Sequence, residues 1–262
     1  MRRKQINLVD LVWKLPYGRR TAVRLVSKIK PLDKRVVINL QNVYMEIDVT
    51  QTLDMEYAYG QFDADELTFL ESHYESGDWF LDIGANMGFY SLFLAKRHPE
   101  MKTLAFEPDP YNIEKFKKNI TLNGIKNIIL CEYALSDENT QKDLMMNTGN
   151  NRGGNSFVIN QTEFCGEDSR LTVACKTLLD ALTENNIHRV GIAKLDVEGF
   201  EYPILKSFFS QAPKSIYPRA MVVEAFGENI NRVGGSPIEL LIKNDYKLVH
   251  HSFFNYFFIL KR

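Results

Sequence analysis

FLDIGANMGFYS, residues 80–91, is the stretch of this 262-residue chain that most strongly indicates its fold. It joins two apolar runs through a turn that contains Gly84 and Gly88. A turn that binds a dinucleotide usually has a further glycine between these two, where the backbone approaches a pyrophosphate. Here the middle position is Asn86, and Asp82 stands just before the turn, where a carboxylate would repel a diphosphate and attract a cation. The turn therefore favours a cofactor with an amino group and a sulfonium centre but no phosphate.

Short apolar strands alternate with helical stretches from this turn onward. The predicted strands are 79–83, 103–107, 127–132, 190–196 and 220–225, and the predicted helices are 89–96, 110–122, 177–185, 200–209 and 236–243. Such alternation is typical of βαβ units with right-handed crossovers. It predicts a doubly wound, mostly parallel sheet, which YKLVHH (246–251) and YFFILK (256–261) close as an antiparallel pair.

Two further regions flank or interrupt this pattern. Residues 1–60 form a basic N-terminal extension, with short helices predicted in the first thirty residues and a hairpin at 35–49. Residues 61–262 form the main domain, which begins with a helix from Phe62 to His73 and has Asp63 available as its cap. Residues 136–176 contain the polar stretch NTGNNRGGN and strand-like pieces around DLMM, NSFVI and LTVACK. We interpret 136–176 as an inserted β-arm.

The charge of the chain is unevenly distributed. The formal net charge is −1, which gives no indication of a nucleic-acid partner. Residues 1–35 nevertheless hold eleven Lys or Arg and two Asp, whereas the remaining residues carry 21 basic and 31 acidic side chains. A basic segment on an acidic body suggests contact with an anionic membrane or a polyanionic substrate. Our first hypothesis is that this segment caps the pocket. A peripheral membrane contact is the second, and dimerisation is a further alternative.

Cysteine usage and the apolar runs indicate the compartment. Cys131, Cys165 and Cys175 form no CxxC pair and leave an odd count, which favours a reducing compartment over a disulfide framework or a zinc site. Asp10 and Lys14 interrupt the apolar run that a signal peptide would need. The longest uncharged aromatic run is too short to span a bilayer. A soluble, cytoplasmic protein is expected.

The predicted strand ends carry a shared chemistry. Ligands of doubly wound sheets bind outside the carboxyl ends of the strands. The residues at the five predicted ends are all acidic: Asp82, Glu107, Glu132, Asp196 and Glu224. A carboxylate at Glu107, nineteen residues after Gly88, can accept hydrogen bonds from both ribose hydroxyls of an adenosine. Together with the turn, this predicts a pocket for S-adenosylmethionine, with adenine beside residues 132–137.

Five motifs resemble the FkbM family of methyltransferases. They are DIGANMGFYS, FEPDPYN (106–112), ALSD (134–137), KLDVEGFE (194–201) and VVEA (222–225), and the resemblance covers roughly 57–262. It implies a Rossmann-like class I methyltransferase fold, S-adenosylmethionine as cofactor, and methylation of hydroxyl oxygens of sugars, polyketides and other natural products. Asp82, Gly84, Asn86 and Gly88 would line the methionine part, Glu107 would hold the ribose, and Ala134, Leu135, Ser136 and Asp137 would flank adenine.

Methyl transfer to an alcohol needs alignment and a group that removes or acidifies the hydroxyl proton. The catalytic candidates are Asp196, Glu198 and Glu224. In one interpretation Asp196 or Glu198 is a base or orients the hydroxyl. In another, all three carboxylates bind Mg²⁺, which chelates a sugar diol. In a third, Asp196 makes only a backbone or cofactor-amine bond. We interpret Glu201 as a helix first-turn carboxylate favoured by the dipole. The choice between base and metal stays open.

These observations predict an S-adenosylmethionine-dependent O-methyltransferase that modifies a hydroxyl of a sugar, a glycoconjugate or a related natural product. An NAD-dependent oxidoreductase of the same fold is one alternative, against which Asp82 and Asn86 argue. A binding module that keeps the pocket without turnover is the other. The sequence names neither the acceptor nor the oligomeric state.

Overall fold

A computed structural model of the chain describes residues 35–59, 64–147, 152–158, 169–225 and 233–261. The helices expected in the first thirty residues, Asp63 as a cap and Cys165 all lie outside the described residues. The chain divides into two compact units, residues 1–62 and residues 63–262. Within the described ranges, no helix is both long enough and apolar enough to cross a membrane.

The described part of the first unit is a hairpin followed by a helix. Strands β1 (Arg35–Leu40) and β2 (Val43–Asp48) pair antiparallel, as the sequence predicted. Gln41 and Asn42 form the turn between them with φ values of 48° and 73°, which matches the left-handed residues of a two-residue hairpin turn. Helix α1 (Thr52–Ala58) follows, and the sequence analysis did not predict it.

The second unit contains a seven-stranded sheet. The described residues of this unit form the strands β3 (Trp79–Ile83), β4 (Lys102–Phe106), β5 (Ile128–Cys131), β6 (Ala134–Leu135), β7 (Thr140–Met145), β8 (Arg170–Lys176), β9 (Val190–Leu195), β10 (Ala220–Glu224), β11 (Tyr246–Ser252) and β12 (Asn255–Leu260). The large sheet has the order β11-β12-β10-β9-β3-β4-β5. From β10 to β5 the strands are parallel, and β12 is antiparallel to both of its neighbours. The predicted doubly wound sheet with an antiparallel C-terminal strand is confirmed.

Helices connect these strands. They are α2 (Ala64–His73), α3 (Phe89–Arg97), α4 (Pro110–Asn123), α5 (Leu178–Glu184), α6 (Glu201–Gln211) and α7 (Pro237–Lys243). Helix α4 shows how local sequence sets their ends. The side chain of Asp109 caps its first turn, Pro110 opens it, and Gly124 ends it in the left-handed conformation.

The strand order places a topological switch point between β3 and β9. The chain runs from β3 to β4 and β5 on one side, and then returns to build β9 and β10 on the other. Ile83 is paired with Leu195, so that β3 and β9 end side by side. A doubly wound sheet binds its ligands at this crevice.

The inserted β-arm is a three-stranded sheet of β6, β8 and β7. Strand β7 includes the first three residues of the predicted piece DLMM, and β8 includes the predicted piece LTVACK. The arm begins at Ala134, two residues earlier than predicted, because β6 pairs parallel with β8. The expected strand at NSFVI is wrong for its described residues, where Ser156 makes only an isolated bridge with Met145.

A buried carboxylate with two arginine partners lies at the opposite, amino end of the sheet. The buried carboxylate of Asp78 forms ion pairs with Arg219 and with Arg189, whose Nε lies 2.7 Å from Oδ1. Gly191, on β9, packs directly on this side chain. A Cβ atom at Gly191 would lie 2.4–2.6 Å from Asp78 side-chain atoms.

We therefore expect Gly191→Ala to lower the free energy of unfolding by about 2 kcal/mol through overpacking. Gly124→Ala is the comparison. A Cβ atom there meets no atom within 4 Å but must accept a φ of 63°, which costs about 1 kcal/mol. Urea denaturation of both variants measures the two losses. An equal or smaller loss at Gly191 would contradict this packing.

Candidate active site

Two glycines hold the turn after β3 against its neighbours. Gly84 has a φ of 85°, and a Cβ atom there would lie 1.8 Å from the carbonyl oxygen of Asp196. Gly88 has a φ of 86°, and its Cβ atom would lie 2.1 Å from the ring of Phe116 on α4. Both positions therefore require glycine for conformation and for space. The fold therefore requires both glycines. Gly84 allows the turn to pack directly against the loop after β9.

Asn86 explains why the middle glycine of the turn is dispensable. Its φ is 52°, and asparagine is among the few residues that adopt the left-handed region readily. Its side-chain oxygen accepts a hydrogen bond from the N–H of Met87 at 2.7 Å. Its own N–H donates to Oε2 of Glu107 at 2.8 Å. Asn86 thus supplies the conformation of a glycine and fixes the carboxylate at the end of β4.

Glu107 is only 6% exposed and is held by backbone and side-chain donors. Oε1 accepts from the N–H of Asp109 at 2.9 Å and from Nδ2 of Asn112 at 3.3 Å. Burial raises the pKa of Glu107 to about 7. Each carboxylate oxygen can accept about two hydrogen bonds, so Oε2, with its bond from Asn86, retains capacity for a ribose hydroxyl.

Asp82 lies inside the protein beneath the turn, 1% exposed. Its Oδ2 accepts from the N–H and the hydroxyl of Ser91, in the first turn of α3. Its Oδ1 is buried and has no hydrogen-bond partner among the described residues. Burial raises the pKa of this carboxyl. A buried acceptor without a donor is costly, and the donor groups of a bound amine would fit it.

The residues predicted beside adenine belong to the β-arm. Ala134, Leu135 and Ser136 are buried, and the N–H of Ser136 donates to the carbonyl of Lys176 at 2.8 Å. Asp137 accepts from Lys142 Nζ at 2.8 Å. Burial opposes its ionisation, but this hydrogen bond and one from Ser136 hold the pKa of Asp137 below its ordinary value. Their contact with adenine stays a prediction.

The three catalytic candidates converge at the ends of β9 and β10. Asp196, Glu198 and Glu224 each present one carboxylate oxygen, and these oxygens lie within 4.8 Å of one another. Nζ of Lys194 lies 2.6 Å from Oδ2 of Asp196. Oε2 of Glu224 is buried without a hydrogen-bond partner among the described residues. A single lysine therefore neutralises only part of a set of three acids.

Electrostatic interactions among the three acids give them different pKa values. Burial opposes ionisation of Asp196, but Lys194 and a hydrogen bond with Glu224 hold its pKa below the ordinary value. Burial and the charge of Asp196 raise the pKa of Glu198 to about 8 and that of Glu224 well above its ordinary value. Such a set can exchange a proton near neutral pH, and its oxygens are also of the type that binds a divalent cation.

The loop between β9 and α6 has a strained backbone. Glu198 has a φ of 54° and Gly199 a φ of 96°. Oε1 of Glu201 accepts from the N–H of Val197 at 3.0 Å and of Gly199 at 3.1 Å. Glu201 is in the first turn of α6, as interpreted from the sequence, and it also ties the loop to the helix.

Two polar partners of the site escaped the sequence analysis. Ser91 and Asn112 hold Asp82 and Glu107, respectively. Ser91 lies nine residues after Asp82, and Asn112 lies five residues after Glu107. Each is in the helix that follows its carboxylate and within a motif that carries the family resemblance. A search for hydroxyl and amide groups in the first turn after each acidic strand end would have found them.

The raised pKa values of Glu107 and Glu201 predict that the contribution of these two groups to the free energy of unfolding falls as pH rises through their titration range. Glu107 and Glu201 have pKa values of about 7 in the folded protein, so the folded state binds protons more tightly than the unfolded state between pH ~4.5 and ~7. Glu201→Gln keeps an acceptor oxygen and removes one titration. We expect it to be about 1–2 kcal/mol more stable than the wild type at pH ~8 and similar near pH ~4.5. Urea denaturation at both pH values tests this. Parallel pH profiles would contradict it.

Known proteins resemble this chain over different lengths. Methyltransferase sdnD of Sordaria araneosa is 27% identical in a 158-residue alignment, which covers 50% of this chain and 60% of that protein. The 31-O-demethyl-FK506 methyltransferase FkbM of Streptomyces tacrolimicus is 25% identical in a 199-residue alignment, which covers 66% of this chain and 74% of that protein. The crystal structure of precorrin-6y C5,15-methyltransferase from Geobacter metallireducens GS-15 aligns with a TM-score of 0.44 at 12% identity, over 75% of this chain and 84% of that one. The chain thus spans less than two thirds of the Sordaria relative.

A family model covers the site. The model of the methyltransferase FkbM domain matches residues 82–250, which is more than half of the chain. The match begins at Asp82 and includes Glu107, Asp196 and Glu224. The basic N-terminal segment and the hairpin lie outside it. This chain belongs to the FkbM methyltransferase domain family.

Proposed function

We propose that this protein is an S-adenosylmethionine-dependent O-methyltransferase that modifies a hydroxyl of a sugar, a glycoconjugate or a related natural product. One observation carries the proposal. The turn predicted to hold the cofactor touches the loop that carries Asp196 and Glu198, because Gly84 packs against the Asp196 carbonyl. A cofactor on the turn would therefore lie beside a carboxylate cluster able to take up a proton.

The described residues fit this cofactor. When bound, S-adenosylmethionine supplies a methyl group activated by its sulfonium centre. Oε2 of Glu107 has capacity for a ribose hydroxyl, and the unsatisfied Oδ1 of Asp82 suits a cationic or amino group. NAD fits less well. A dinucleotide-binding turn presents backbone N–H groups to the diphosphate, whereas here the diphosphate would lie near the carboxylate of Asp82, which would repel it.

Glu198 is the proposed base. Asp196 already has Lys194 at 2.6 Å and a hydrogen bond with Glu224, so two of the three acids have partners. The remaining carboxylate, Glu198, has a pKa of about 8. In its ionised form it can accept the proton of an acceptor hydroxyl, as the hydroxyl oxygen takes the methyl group and the bond from that group to the sulfonium sulfur breaks. Asp196 and Lys194 would fix the orientation of that hydroxyl.

Oxygen as the methylated atom rests on analogy. The Streptomyces relative is named for an O-demethyl substrate, FK506 lacking a methyl group on oxygen 31. The name of the Sordaria relative states no acceptor. A hydroxyl is a weak nucleophile and needs a base to remove its proton, whereas a more acidic or more nucleophilic group does not. The carboxylate cluster provides such a base. The cytoplasmic location and the sugar-type acceptor are parts of the same proposal, and a peripheral membrane contact through residues 1–35 stays the second hypothesis for that segment.

We expect Glu198→Gln to lower methyl transfer about 100-fold, since general-base catalysis contributes roughly that much, while affinity for S-adenosylhomocysteine changes less than about threefold. The assay follows labelled methyl transfer from S-adenosylmethionine into the glycan, glycolipid and small-molecule fractions of a cell extract. Calorimetry with S-adenosylhomocysteine and with NAD gives the affinities. Glu184→Gln, which changes an exposed carboxylate on α5, is the matched control.

Tighter binding of NAD than of S-adenosylhomocysteine would support the oxidoreductase alternative. Cofactor binding with no label in any fraction would favour a silent module.

The carboxylate cluster supports one competing mechanism, in which a divalent cation occupies the three oxygens that lie within 4.8 Å. With Glu198 as the base, we expect EDTA to leave the labelled transfer unchanged within about twofold, because no step needs a metal. Loss of transfer in EDTA, with recovery on adding excess Mg²⁺, would replace the base by a metal.

A further inference from the structure

We propose that residues 155–157 of the β-arm, here called the arm tip, position both halves of the active site. Ser156 is the positioning residue of Glu198, and Asn155 is the positioning residue of the loop that holds Glu107. The inference rests on the proposed function for what these two carboxylates do. It assigns a role to an insertion that the parallel sheet does not require.

Ser156 reaches the strained loop directly. Its hydroxyl donates to the carbonyl oxygen of Glu198 at 2.6 Å and accepts from the N–H of Val158 at 2.9 Å. Its backbone exchanges two hydrogen bonds with Met145, of 2.9 and 3.1 Å. The side chain is 1% exposed. The hydroxyl is therefore oriented by its own segment before it reaches Glu198.

The contact falls where the loop most needs support. A left-handed φ costs a non-glycine residue roughly 1 kcal/mol or more, and such a conformation persists only when its surroundings fix it. Glu201 fixes the N–H groups of Val197 and Gly199 on the helix side. Ser156 fixes the Glu198 carbonyl from the arm side. Without this bond, the backbone of Glu198 can relax and carry its carboxylate away from Asp196 and Glu224.

Asn155 makes the corresponding contact on the cofactor side. Its Nδ2 donates to Oδ2 of Asp109 at 3.0 Å, and its Oδ1 accepts from the N–H of Asn147 at 2.8 Å. The N–H of Asp109 in turn donates to Oε1 of Glu107 at 2.9 Å. Nη1 of Arg152 lies 3.7 Å from the same Oδ2. The arm tip therefore holds the residue that orients Glu107.

Phe157 anchors the tip between these two contacts. Its ring lies edge-on to Phe200, with centroids 5.2 Å apart, and it packs against both the main core and the small core of the β-arm. Phe200 directly precedes α6 and follows the strained loop. Three consecutive residues thus contact Asp109, Glu198 and Phe200, and link the two loops through one segment.

The test combines a double-mutant cycle with hydrogen exchange. We expect Ser156→Ala to lower methyl transfer about tenfold, the equivalent of one well-placed hydrogen bond, with affinity for S-adenosylhomocysteine within about twofold. In a Glu198→Gln background the same change should cost less than about twofold, because Ser156 acts through Glu198. Ser156→Thr keeps the hydroxyl and should restore transfer. Equal losses in both backgrounds would show a general structural role and overturn the proposal.

Amide hydrogen exchange tests the contact between Ser156 and Glu198 independently of enzyme activity. Peptides that cover residues 196–201 should exchange about tenfold faster in Ser156→Ala. Thr172→Ala is the control, because Thr172 lies in the same arm and its hydroxyl donates to Oδ1 of Asp143 across β7 and β8. Unchanged exchange at 196–201 would overturn the inference even if the enzyme is active. Faster exchange in a protein that transfers no methyl group would retain the positioning role and refute the proposed function instead.

Asn155 should give the opposite kinetic signature. We expect Asn155→Ala to weaken S-adenosylhomocysteine binding about fivefold, since it frees Asp109 and so loosens Glu107. Transfer at saturating cofactor should fall less than in Ser156→Ala. The same pattern of losses in both variants would overturn the division of roles between the two residues.

Discussion

The close approach of Gly84 to the carbonyl of Asp196 is the constraint on which the site depends. A Cβ atom would lie 1.8 Å from that oxygen, so the two chain segments can meet only through a glycine. The contact joins the turn after β3 to the loop after β9 at the switch point of the sheet. Left-handed residues gather on both sides of it, with Asn86 and Gly88 on the turn and Glu198 on the loop. The proposed cofactor and the proposed base adjoin because of this contact.

Acidic groups surround this contact, and most of them are stabilised by hydrogen bonds from nearby backbone or side-chain donors. Backbone N–H groups hold Glu107 and Glu201, Ser91 holds one oxygen of Asp82, and Lys194 holds Asp196. Two oxygens, on Asp82 and Glu224, have no donor among the described residues. Buried acceptors of this kind are where a ligand gains most by binding, because the protein has already excluded water from them.

Local patterns in the sequence predict the elements, and long-range contacts explain what they miss. Alternating strands and helices locate the sheet, and the strand ends locate Asp82, Glu107, Asp196 and Glu224. Asn86 is unusual for its position in the turn, but its N–H binds Glu107, 21 residues away, and no local pattern encodes that hydrogen bond. The role of Ser156 depends on a carbonyl 42 residues distant, and no local periodicity encodes such a pair. Helix α1 was missed for a related reason, since it is one short segment without a strong apolar repeat.

A crystal structure of the full chain with S-adenosylhomocysteine would show whether the cofactor binds at the contact between the turn after β3 and the loop after β9. We expect the ribose hydroxyls about 3 Å from the Glu107 carboxylate, within hydrogen-bond distance, and the sulfur over the turn at Gly84, facing Glu198. Occupancy of another crevice, or a bound nucleoside whose ribose does not contact Glu107, would refute this assignment of the site.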